Sequence, residues 1–84
     1  DMDTMPQNFM LYTSNIDTPG FIGLLGMTLG EMNVNIATFS LGRKEKAGLA
    51  LALLGIDEKI DSKNLDRIKR LKGVKEAKTL SFEI

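Results

Sequence analysis

Asn15, Asp17 and Asn35 are the polar side chains whose spacing could hold a small zwitterion. A free amino acid needs an anion receptor for its carboxylate and acceptors for its ammonium group. The run Asn15 to Gly20 (NIDTPG) offers both. Backbone N–H groups near Gly20, Phe21 and Ile22 fall at a helix start, where they lack intrahelical acceptors and face the positive end of the dipole. Gly20 has no Cβ and admits a ligand close to the backbone. Pro19 sits where the first helical turn tolerates a missing N–H. Asn15 and Asp17, two apart, point the same way if the strand before the turn stays extended. Asn35 can donate and accept, and asparagine is disfavoured in strands. Plainer roles compete with these. Asp17 or Thr18 can be a simple helix cap, Asn15 a turn residue, and Asn35 a partner for the turn at Asn33.

Other chemistries are poorly served. The 84 residues contain no histidine and no cysteine, which removes the commonest general base, the commonest metal ligand and every thiol nucleophile. Disulfides are excluded, which fits a reducing, cytoplasmic setting. Formal charge is zero, with 43% hydrophobic and 26% charged residues, so no electrostatic pull toward nucleic acid or anionic membrane is expected. No apolar run reaches the ~20 residues of a membrane span. The chain opens on Asp1, and residues 1–7 (DMDTMPQ) read as a poorly ordered linker remnant before one domain over 8–84.

The elements that must position the polar trio follow from periodicity. Asn8–Ser14 has strand propensity. A helix then runs from the Pro19-Gly20 turn to about Met32, its apolar stripe at Ile22, Leu25, Leu29 and Met32. Gly23, Gly26 and Gly30 make a second, side-chain-free stripe that costs ~1 kcal/mol per residue against alanine. Close approach to the sheet or to a neighbouring helix would compensate. Asn33 leads out of the helix. Val34–Arg43 reads as strand two, Gly42–Gly48 as a charged hairpin loop and solvated tip, and Gly48–Ile56 (GLALALLGI) as a strand buried on both faces. Asp61 or Ser62 caps a second helix with Leu65, Ile68 and Leu71 inward, and Gly73 stops it. Val74–Ile84 is strand four, alternating at Leu80, Phe82 and Ile84. Met10, Met27 and Met32 read as core filler. The order predicts an α+β, ferredoxin-like βαββαβ sandwich: a four-stranded antiparallel sheet with two helices on one face.

Asn15 to Arg43 (NIDTPGFIGLLGMTLGEMNVNIATFSLGR), with LKGVKEAK at Leu71–Lys78, resembles the ACT domain family. It looks like the C-terminal regulatory domain of D-3-phosphoglycerate dehydrogenases. The resemblance covers Phe9 to Phe82. It implies a non-catalytic module that pairs edge to edge with a second copy, binds an amino acid (L-serine) at the pair interface, and restrains an NAD-dependent active site elsewhere in its parent. The module itself is expected to carry no cofactor. By the same resemblance, Asn15, Asp17 and Asn35 fall where serine-binding members place polar contacts. Some of those members carry histidine in place of Asn15 and asparagine in place of Asp17. Pro19, Gly20, Phe21 and Ile22 complete the expected ligand-binding set.

Three rival readings stand beside it. The ACT domain of iron–sulfur L-serine dehydratases has a similar run, and a purely structural pairing module would need no ligand. An acylphosphatase-like enzyme on this fold wants an arginine-bearing phosphate loop, which Ser14–Gly20 lacks. Size gives pairing an independent argument, because one core in a chain this short yields modest stability. A homodimer or higher even assembly is expected.

Overall fold

A computed structural model describes residues 9–44 and 48–82. The expected linker at residues 1–7, the tip of the charged hairpin and Ile84 lie outside the described residues. The elements are β1 (Phe9–Ile16), α1 (Phe21–Glu31), β2 (Ile36–Lys44), β3 (Leu49–Ile56), α2 (Ser62–Lys69) and β4 (Val74–Ser81). The strands lie in the order β2-β3-β1-β4, each neighbouring pair antiparallel. This is the ferredoxin-like α+β fold that the periodicity predicts. Among the described residues no helix is long and apolar enough to cross a membrane.

Strand alternation decides what is buried. Leu11 lies opposite Leu54 and Thr13 opposite Ala52, so they share one face. Leu25 and Leu29 of α1, Ile68 of α2 and Ala77 of β4 join Leu11, Ala52, Leu54 and Ile56 in a single core cluster. Both helices therefore cover the same face. Leu65 and Leu71 pack against the core edge, as expected.

The ends of the helices are set by local chemistry. Asn33 takes a left-handed φ of 60°. Val34 N–H donates to Leu29 O and Asn33 N–H to Gly30 O, which together close the end of α1. The carboxylate of Asp61 accepts from Asn64 N–H at 2.8 Å and caps α2. Gly73, at φ 94°, turns the chain into β4 and gives its carbonyl to Ile16 N–H at 2.8 Å. Arg67 of α2 pairs with Glu31 at the end of α1.

Several expectations need correction. The inward stripe of α1 is Phe21, Leu25, Thr28 and Leu29, while Ile22 is exposed, because the face that packs on the sheet is centred on Leu25 and Leu29 and takes in Phe21 rather than Ile22. Met27 is 59% exposed and is not core filler; Met32 does pack against the core. The glycine stripe makes no close approach within this chain. A methyl group on Gly23, Gly26 or Gly30 would meet no atom within 4 Å. β3 is buried on one face only, since Leu53 remains 38% exposed. Leu80 of β4 and Phe82 just beyond its end are exposed, and Ala77 is the β4 residue that reaches the core.

Candidate functional site

The turn after β1 is the centre of the site. Asp17 N–H donates to Gly48 O at 2.8 Å, fixing the chain where the β2–β3 hairpin returns. Gly20 then takes φ 89° and ψ −13°, the conformation that the third position of a type II turn requires. Pro19 before it has the φ suited to the second position. An alanine at Gly20 would be strained there whatever the available space. Thus neither Asp17 nor Thr18 caps α1: the N-cap is Gly20, and no side chain accepts from the first turn. Phe21 N–H reaches Thr18 O at 3.4 Å and Leu24 N–H reaches Gly20 O at 3.0 Å. The amides of Ile22 and Gly23 find no acceptor among the described residues. No acidic residue occupies the first turn, so the positive end of the helix is uncompensated.

In front of this helix end lies a recess of about 430 Å³ lined by Asp17, Thr18, Pro19, Gly20, Ile22, Gly23, Leu41 and Arg43. Asp17 Oδ2 pairs with Arg43 Nε at 2.8 Å across its mouth. The recess therefore presents a carboxylate, a guanidinium and free amides within one small volume. Such a set complements a molecule that carries both charges.

The predicted residues distribute unevenly. Asp17, Pro19, Gly20 and Ile22 line the recess. Phe21 is buried and points its ring into the core. Asn15 is only 2% exposed, with Nδ2 donating to Ile16 O at 3.0 Å and Oδ1 buried without a partner. It does not share the exposed side of Asp17, because β1 ends at Ile16 and the chain turns. Asn35 lies at the far end of β2. There its backbone N–H and Nδ2 donate to the two carboxylate oxygens of Asp57 at 3.0 and 3.1 Å. Eight residue steps of ~3.3 Å separate it from Arg43, about 26 Å. One chain does not bring Asn35 to Asp17.

As lining residues, sequence reasoning missed Thr18, Gly23, Leu41 and Arg43. Arg43 lies opposite Ala50, which lies opposite Asn15, so the register carries it to the helix-bearing face beside the α1 start. That register depends on how the hairpin closes, and a charged loop of unspecified turn type does not reveal it.

No protein-family model matches the chain. Curated relatives do. It is 40% identical over 77 residues to D-3-phosphoglycerate dehydrogenase of Synechocystis sp., 92% of this chain and 14% of that protein. It is 30% identical over 82 residues to the enzyme of the same name from Methanocaldococcus jannaschii, 98% of this chain and 16% of that one. With the Bacillus subtilis enzyme it shares 40% identity over 63 residues, 75% of this chain and 12% of the relative. The chain is thus similar to a small segment of D-3-phosphoglycerate dehydrogenases and spans about one seventh of their length.

Proposed function

We propose that this chain is the regulatory, amino-acid-binding ACT domain of a D-3-phosphoglycerate dehydrogenase, which senses L-serine and pairs with a second copy. The parent is then an NAD-dependent cytoplasmic enzyme that the end product of its pathway restrains. The observation that carries the reading is the Asp17–Arg43 pair at the mouth of the recess in front of the uncapped α1. An amino-acid zwitterion can enter that ion pair with charge conserved. Its ammonium meets Asp17, and its carboxylate meets Arg43 and the amides of Ile22 and Gly23.

Pairing is supported by the edges of the sheet. β4 presents lysine and glutamate, whereas β2 presents Ile36, Phe39 and Leu41 on its helix-bearing side, all three exposed. Natural edge strands are protected by charge, and β2 lacks that protection along its middle. The outer face of α1 is also apolar, with Ile22, Gly26, Gly30 and Met27 adjacent on the helical wheel and no charge before Glu31. Antiparallel pairing of β2 with its own copy about a two-fold axis near Phe39 sets Asn35 of one chain across from Arg43 of the other. The recess then gains, from the second copy, the residue that its own chain holds about 26 Å away. Such pairing would bring Asn35 and Asp17 to one site, while Asn15 stays buried at the end of β1.

Calorimetric and thermal-shift titration of the chain with L-serine, glycine, L-alanine and D-serine tests the reading. Selective stabilisation by L-serine is expected, growing by RT ln(1 + [L]/Kd). It is lost in Arg43→Gln and Asn35→Ala, while the fold survives because exposed pairs contribute at most ~1 kcal/mol. Dimers that respond to none of the four would leave a purely structural pairing module.

A further inference from the structure

The helix-free face of the sheet carries the second apolar side of β3. Leu51 and Leu53 lie there, Tyr12 opposite Leu53 on β1, and Leu80 opposite Met10 on β4. Leu53 and Leu80 are 38% and 39% exposed. An antiparallel sheet with a wet outer face alternates apolar and polar side chains, whereas a strand apolar on both sides belongs to a sheet covered twice. Glu76 and Lys78 of β4 form the charged border, with Lys78 Nζ 5.4 Å from the centre of the Tyr12 ring. Near the other border, Gly42 lies opposite Leu51 and leaves a depression of about 400 Å³ walled by Tyr12, Ser40, Leu51 and Leu53. A methyl group on Gly42 would meet no atom within 4 Å.

We propose that this face docks against an apolar surface of another domain of the same polypeptide, which inserts an aliphatic or aromatic side chain into the depression at Gly42. The inference rests on the reading that the chain is one segment of a longer enzyme. Area selects the occupant. Four strands spaced ~4.8 Å apart and ~26 Å long give about 500 Å² per side. A stable association of free partners needs about 800 Å² per side. A tethered domain docks on less, because the linker holds it at millimolar effective concentration. A second copy meeting this face unaided falls short.

Hydroxyl-radical footprinting of the full-length polypeptide tests the proposal at Met10 and Leu80, which lie on this face two strands or more from Gly42. Slow modification is expected in the wild type, rising several-fold in Gly42→Leu, which fills the depression from within. Leu53→Gln, at an exposed position, is the second variant and should have the same effect if Gly42→Leu does not fold. Fast modification in the wild type, unchanged in both variants, overturns the proposal. Protection that fades on dilution overturns it in favour of a second copy. The L-serine titration is independent: loss of the serine response with protection retained sinks the sensor reading and leaves docking standing. An intact mass showing no further domain sinks the parent reading, and docking with it.

Discussion

Replacing Gly26 and Gly30 together with alanine should push the lone chain and the paired chain in opposite directions. Both glycines sit inside α1, and the added methyl groups meet nothing within 4 Å. The lone chain therefore gains only helix propensity, about 1 kcal/mol per substitution and about 2 kcal/mol for the pair. A domain of this size holds ~4–12 kcal/mol in total, and such a gain raises its melting temperature by ~8–16 °C. If two copies pair through the outer face of α1, the same methyl groups would stand between the facing helices. Association should weaken at least ~10-fold, equivalent to ~1.4 kcal/mol. Urea unfolding at submicromolar concentration reads the first effect, and sedimentation equilibrium reads the second. A less stable lone chain would refute the geometry of α1. A stabilised chain that pairs as tightly as before would refute the assignment of the glycine stripe to pairing.

Two further outcomes follow from burial and capping. Thr13 is fully buried, and its hydroxyl has no partner among the described residues; Thr13→Val should raise stability by about 1 kcal/mol in urea unfolding, since it removes a desolvated polar atom at constant shape. Lower stability would mean that the hydroxyl is bonded. Asp61→Ala should cost about 1 kcal/mol by removing the α2 cap. Asp61→Asn, which can still accept, should restore most of it in the same assay.

Most of the fold was legible because its punctuation is local. The Pro19-Gly20 turn, Asn33, Asp61 and Gly73 each act within a few residues, and each appears where its side chain or backbone freedom predicts. Faces were less legible. Ile22 and Phe21 are neighbours of similar hydropathy, and only the packing of α1 on the sheet decides which turns inward. Leu80 and Phe82 alternate convincingly, yet the register sets Leu80 opposite Met10 on the helix-free face and Ala77 opposite the buried Thr13 on the core face. The site was half legible for the same reason. Asp17 and Gly20 belong to one turn and were found together. Arg43 arrives through the register of two strand pairings, and Asn35 has a place in the recess only if a second chain supplies it.

Strand order also constrains how the chain reaches this structure. β1 is made first but lies between β3 and β4, and Phe9 is paired with Ser81 at the opposite end of the described chain. The edge of the first strand that faces β4 must wait for its partner until nearly the whole module has been synthesised. Pairings this distant in sequence slow folding, because loop closure precedes any gain from contact. Completion of the sheet is therefore a late event in folding. A polypeptide released before β4 would leave β1 as a bare edge, available to any strand that reaches it first.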